Sequence, residues 1–169
     1  MQKRQEMLTW TDLTRLVDYL LPQFEKDYSC ILAVNQNALI PAALLAEAMG
    51  LKHLFLISVQ FPLDLQLPPR EALSIEWPVF SQFPEPELLN KHQLLLVSEH
   101  WHSGREMLAS QARLEREGFN SDSATLHFDP SETRLEGSAP RYYAARTTAN
   151  IIYPWQASTG FYPKLVSVI

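Results

Sequence analysis

Between Cys30 and Val59 the chain places a strand, a turn, a helix and a second strand in direct succession. Cys30-Ile31-Leu32-Ala33-Val34 is an apolar run too short for a helix and suited to a strand buried on both faces. Asn35-Gln36-Asn37 interrupts it. Ile40 to Met49 then reads as a helix, with Pro41 in its first turn and Gly50 just past its end. His53 to Val59 is the second strand. Such a βαβ unit implies a parallel sheet joined by a right-handed crossover. It makes the chain an α/β protein of Rossmann-like layout, with about five parallel strands flanked by helices.

The flanking segments fit that layout. Leu13, Leu16, Val17, Leu20, Leu21 and Phe24 form one apolar stripe at helical spacing. Thr9 and Asp12 supply a capping pair at its start, and Pro22 ends or kinks it. Gln93 to Val97 is a further strand, followed by a loop over Ser98–Gly104. A helix from about Arg105 to Glu117 comes next, with Met107, Leu108, Ala112 and Leu114 inward and Gly118 as its C-cap. Ser123–Phe128 and Ile151–Tyr153 are the remaining strands. Six of the twelve prolines fall between residues 60 and 90. Proline neither donates to a ladder nor continues a helix. This excursion is therefore a lid or a stiff surface connection, with a short edge strand near Ser74–Trp77.

A chain of 169 residues is expected to form one domain, 1–169, with the excursion at 60–90 and a small hood at 131–160. Its net charge of −5, without clustered Lys and Arg, speaks against nucleic acid or an anionic membrane as partner. Cys30, the single cysteine, sits in an apolar run and reads as a buried hydrophobe. The first twenty residues carry recurrent charges, unlike a secretory signal, and no window approaches 18 uncharged apolar residues. A cytoplasmic location is the expectation.

In an open parallel sheet, ligands bind beyond the carboxyl ends of the strands. Two loops leave such ends, at Asn35–Ala38 and at Ser98–Gly104. The second enters a helix through Ser103-Gly104-Arg105. Free amides, a hydroxyl and a glycine at a helix start make a phosphate cradle, although many ordinary helix starts share these features.

The segment Leu94–Met107, LLLVSEHWHSGREM, resembles the phosphoribosyl-diphosphate (PRPP) loop of type I phosphoribosyltransferases. Ile31–Glu47 resembles the pyrophosphate-loop segment of that family. Tyr142-Tyr143 with Ile151-Ile152-Tyr153-Pro154-Trp155 is similar to the base-recognition hood of its purine and xanthine branch, as Thr9–Asp12 is to that branch's start. The resemblance runs in order over residues 8 to 156. It implies the type I phosphoribosyltransferase fold, a homodimer and a nucleotide or phosphorylated small molecule as ligand. It places phosphate binding on Ser103, Gly104, Arg105 and Glu106, pyrophosphate binding on Gln36, Asn37 and Ala38, and the base hood on Ile151, Ile152, Tyr153 and Trp155. Glu99 and His102 take the catalytic positions. Mg²⁺ is expected only of an active transferase, and no other cofactor or metal is.

The same resemblance exposes losses. The first acidic residue of the family's pair is Ser98 here, and only Glu99 stays acidic. His102 replaces an Asp, Glu106 a closing Thr, and Asp129 a base-recognising Lys. Gln36-Asn37-Ala38 stands where a basic residue and two glycines are usual. One carboxylate in place of two weakens a Mg²⁺ site. A carboxylate 4 Å from a phosphate charge costs about 1 kcal/mol in bulk water and about 4 at an effective dielectric of 20. The larger figure is roughly a thousandfold in affinity. Glu106 has the alternative of filling the helix start itself, as an internal anion. His102 has three readings: a general base, a metal ligand paired with His100 beside Glu99, or a solvated loop residue. Trp101 between them is a hydrophobic plug or a dimer contact. Three functions follow. They are a divergent, non-catalytic binder of a nucleotide, phosphate or protein partner; an active purine or xanthine transferase; and a metal-dependent enzyme built on His100 and His102.

Overall fold

The computed structural model describes residues 4–61, 77–133 and 137–157. Strand β1 (Gln5–Met7) precedes helix α1 (Trp10–Leu20). Thr9 caps α1 by accepting from the Asp12 amide, while the Asp12 carboxylate accepts from the Thr9 amide. A 3₁₀ turn at Leu21–Gln23, holding Pro22, closes the helix. Strand β2 (Cys30–Val34), a 3₁₀ turn at Gln36–Ala38, helix α2 (Leu39–Ala48) and strand β3 (Leu54–Gln60) form the expected βαβ unit. Strand β4 (Val79–Gln82) and the single-turn helix α3 (Pro86–Leu89) follow. Then come β5 (Leu94–Trp101), α4 (Arg105–Arg116), β6 (Ser121–Phe128), β7 (Tyr142–Arg146), β8 (Asn150–Ile152) and the short α5 (Pro154–Ala157).

The main sheet has the order β4-β3-β2-β5-β6-β7. Its five strands from β3 to β7 are parallel, and β4 joins the outer edge antiparallel to β3. Strands β1 and β8 pair in a separate two-stranded parallel sheet, which brings both ends of the described chain together. One face of the main sheet buries Ile31, Ala33, Leu95, Val97 and Leu126 under α1 and α2. The other buries Leu32, Ile57, Leu94 and Leu96 with Met107 and Leu114 of α4 and Leu89 of α3. Every residue of β2 is buried, as its unbroken apolar run requires. Cys30 is among them, and burial pushes its thiol pKa up to about 11.

The edge strand expected near Ser74–Trp77 falls mostly outside the described residues, together with Pro62, Pro68 and Pro69, and β4 lies at Val79–Gln82. Three expectations change. The last parallel strand of the main sheet is Tyr142–Arg146, while Asn150–Ile152 pairs with β1 outside that sheet. Ser98 to Trp101 is strand and not loop, because β6 is long enough to pair with β5 out to Trp101↔Phe128. Ala112 on α4 is exposed, and Ser110 takes the buried position. The Ser110 hydroxyl makes this possible by donating to the Glu106 carbonyl at 2.8 Å. No helix among the described residues is long and apolar enough to cross a membrane.

The turn from β5 into α4 is the tightest point of the fold. Gly104 has φ +74°, and the indole of Trp101, 1% exposed, lies flat against it. A Cβ at Gly104 would fall 2.6 Å from the indole ring. Trp101 is thus a plug under the turn. Gly104→Ala adds a left-handed backbone penalty to this overlap and is expected to lower stability by about 2 kcal/mol or more. Urea unfolding of the variant reads this directly. An unchanged midpoint would mean that the turn does not hold this shape.

Candidate functional site

The two loops at the carboxyl end of the sheet meet over one cavity. Its volume is about 150 Å³, and Asn35, Asn37, Ser98, Glu99, Ser103 and Glu106 are among its lining residues. An adjoining groove of about 370 Å³ runs over Gln36, Ser58 and Gln60. Asn35, Asn37 and Glu106 border both spaces.

Asn35 sets the first loop. It takes φ +65°, a conformation that Asn tolerates better than most residues. Its amide donates to the Ile57 carbonyl at 2.8 Å, and its side-chain oxygen accepts from the Val59 amide at 2.9 Å. The end of β2 is thereby fastened to β3, and the Asn35 side chain still reaches the Glu106 carboxylate with a hydrogen bond. Asn37, from the 3₁₀ turn, hydrogen-bonds the Glu99 carboxylate. Ala38 is buried in the core, while Gln36 points to solvent.

The second loop is fixed from β6 and from the chain's end. The Ser98 hydroxyl donates to Thr125 Oγ1 at 3.2 Å, and the Thr125 hydroxyl donates in turn to the His127 carbonyl at 3.1 Å. Tyr153 Oη donates to the Glu99 carbonyl at 2.6 Å and lies 2.9 Å from His127 Nδ1. The single hydroxyl proton goes to the carbonyl, so His127 Nδ1–H donates to the Tyr153 oxygen. Ser103 Oγ accepts from the Arg105 amide at 3.4 Å, and the Arg105 guanidinium sits 4.1 Å over the Phe61 ring. His102 Nδ1 is 2.9 Å from Glu132 Oε2, and its ring stacks on His100 at 3.6 Å.

Burial sets the electrostatics. It drives the Glu99 carboxyl up to about 7, with the nearby Glu106 charge adding to the rise and the Asn37 bond opposing it. Glu106 stands exposed at the start of α4, yet its carboxyl faces the cavity, and desolvation raises its pKa too. Burial holds His100 down to about 3 and His127 down to about 4, so both are neutral near pH 7.

The hood residues belong to the packing of the chain's end. Ile151 and Tyr153 are buried in the core, and Trp155 stacks on Tyr153 at 4.7 Å and lies 6.4 Å from Trp10. Their link to the cavity is the Tyr153 hydroxyl on the Glu99 carbonyl. Asn35, Thr125, His127 and Glu132 are site residues that sequence reasoning passed over. Only Asn35 carried a local signal, as a φ-tolerant residue at the end of a buried strand. Mg²⁺ does not fit the donors around Glu99. Ser98 is bonded to Thr125, Glu99 is held by Asn37 and by its own backbone amide, and the Glu106 carboxylate beside it is bonded to Asn35.

No family model and no curated protein matches this chain. Solved structures do. A purine phosphoribosyltransferase from Pyrococcus horikoshii Ot3 superimposes with a TM-score of 0.73 at 24% identity, over 90% of this chain and 94% of that one. A hypothetical protein from Neisseria gonorrhoeae with bound ppGpp gives 0.75 at 22% identity, over 93% and 92%. A Helicobacter pylori xanthine-guanine-hypoxanthine phosphoribosyltransferase gives 0.74 at 12%, over 92% and 96%. The chain has the type I phosphoribosyltransferase fold, as the sequence resemblance implies.

The pKa directions set a pH profile. His100 and His127 stay neutral when folded but protonate near pH 6.5 when unfolded, so their contribution is present above that pH and lost as pH falls toward 4. Glu99 has the opposite sign. The folded chain keeps its proton up to about pH 7, the unfolded chain only to about 4.5. Stability is therefore lost as pH rises through that window, by roughly 3 kcal/mol. Glu99→Gln imitates the protonated form. It is expected to leave the melting temperature unchanged at pH 5 and to raise it at pH 8 by on the order of 6–12 °C. Calorimetry at the two pH values checks this, and an equal shift at both would contradict it.

Proposed function

We propose that this chain is a phosphoribosyltransferase-fold protein that binds a nucleotide-class ligand and does not transfer a phosphoribosyl group. The observation that carries the reading is the position of Glu106. Its carboxyl stands at the α4 start, where a phosphate would be cradled, and with Asn35 and Asn37 it borders both the cavity and the adjoining groove. The cavity of about 150 Å³ is smaller than the roughly 300–1,000 Å³ of ordinary ligand sites. The adjoining groove of about 370 Å³ lies within that range, and Glu106 borders both spaces. Glu106 thus acts as an internal anion that a ligand's phosphate must displace. Ser103, Gly104 and the amides of α4 remain as the cradle.

The catalytic positions support the non-catalytic half of the reading. Ser98 is committed to Thr125, and the His102 ring is engaged with Glu132. Gln36, Asn37 and Ala38 bring no cation to the pyrophosphate loop. The Neisseria protein of the same fold holds ppGpp, which makes a guanosine polyphosphate the first ligand to try. The homodimer implied by the resemblance belongs to the same reading and is checked by light scattering. One observation favours the active alternative: a Glu99 pKa of about 7 suits a general acid or base.

The test is a thermal-shift titration with ppGpp, GMP, XMP and PRPP with Mg²⁺, run beside a turnover assay on purine bases. At 1,000 times its dissociation constant, a ligand adds about 4 kcal/mol, roughly 8–16 °C at this chain length. We expect such a shift with a nucleotide and no pyrophosphate release. Glu106→Thr is expected to tighten phosphate-ligand affinity by between about fivefold and a thousandfold. Pyrophosphate release by the wild type would establish the active alternative. Unchanged affinity in Glu106→Thr would remove the internal-anion account.

A further inference from the structure

Beyond the cavity, the turn after β6 packs against the turn after β5 and gathers a second set of polar groups. The Asp129 amide donates to the Trp101 carbonyl at 3.0 Å. Asp129, fully buried, accepts through Oδ1 from the Ser131 amide at 2.9 Å and the Ser131 hydroxyl at 2.5 Å. The Thr133 hydroxyl lies 3.3 Å from the Asp129 carbonyl and 3.4 Å from the His102 carbonyl. These contacts hold the two turns in register. They bring one nitrogen of His102 and one oxygen each of Asp129 and Glu132 within 4.8 Å of one another.

We propose that His102, Asp129 and Glu132 form a binding site for a divalent first-row transition-metal ion. The chemistry of the donors points to that class. One imidazole and two carboxylates suit Zn²⁺, Mn²⁺ or Fe²⁺ better than an oxygen-only ion. The spacing agrees. Ligand atoms about 2.1 Å from one ion and at right angles lie about 3 Å apart, and His102 Nδ1 and Glu132 Oε2 are 2.9 Å apart. The Asp129 oxygen lies within 4.8 Å of both. Its buried carboxylate is anchored by Ser131, whereas His102 and Glu132 are exposed and adjust at little cost.

An independent observation comes from His100. Its Nε2 is buried and has no hydrogen-bond partner, an expensive state for a polar atom. Its ring lies stacked on the His102 ring, fixing that ligand from one side. The open side of the cluster faces a depression of about 440 Å³ lined by Ser103, Ser131 and Thr133, so an ion has both a path in and free coordination positions. This site shares His102 with the positions the family resemblance implies but not Glu99, and it does not rest on the nucleotide reading.

The test uses the metal alone. The full chain is stripped with chelator, desalted and titrated with Zn²⁺ against a chromophoric chelator. The wild type is expected to take up one equivalent. His102→Ala and Glu132→Gln alter exposed side chains and are each expected to lower the affinity at least tenfold, with unchanged circular dichroism. His53→Ala is the control, because His53 and His92 form a separate stacked pair at 4.4 Å. It is expected to bind as the wild type does. Absence of binding, binding undiminished in both cluster variants, or loss confined to His53→Ala would each overturn the proposal.

Discussion

The pairing of β5 with β6 out to Trp101 and Phe128 governs the whole functional edge of this protein. The parallel ladder carries β5 four residues past its apolar stretch and takes Ser98, Glu99 and His100 with it. Polar groups that a loop would leave in water are drawn into a packed edge. Trp101 can end that strand only because the next turn has no Cβ at Gly104. Change either, and α4 starts elsewhere, with its free amides and Glu106.

Desolvation is the consequence. A carboxylate and two imidazoles taken out of water lose charge unless partnered, and here they lose it: Glu99 moves up, His100 and His127 move down. Amides and a hydroxyl supply these hydrogen bonds. Asn37 serves Glu99, Asn35 serves Glu106, and Tyr153 serves the Glu99 carbonyl. The site is braced by these bonds, with a carboxylate already at its helix start. The Neisseria complex shows that the same fold can hold a nucleotide.

Much of the fold was legible along the chain. Cys30–Val34, Ile40–Met49 and His53–Val59 announced the βαβ unit, and the Thr9–Asp12 pair announced the start of α1. Local periodicity and capping chemistry suffice where one element's neighbours do not alter its type. They failed at Ser98–Trp101, whose polar residues read as loop until β6 pairs with them. They failed again at Ser110, which is buried because its hydroxyl is satisfied within its own helix.

Although β1 and β7 went unread, the sequence by itself determined the βαβ unit, helices α1 and α4, strands β5 and β6, the parallel sheet and the two loops at its carboxyl edge. Those follow from hydrophobic spacing within short windows. Tertiary structure decided which polar residues face one another. His102 meets Glu132 and Asp129 across about thirty residues, Ser98 meets Thr125, and Tyr153 reaches Glu99 from the chain's far end. Charge states and ligand sets depend on burial and on distances of a few ångströms between groups remote in sequence. No local pattern encodes those distances, and the register of the sheet does.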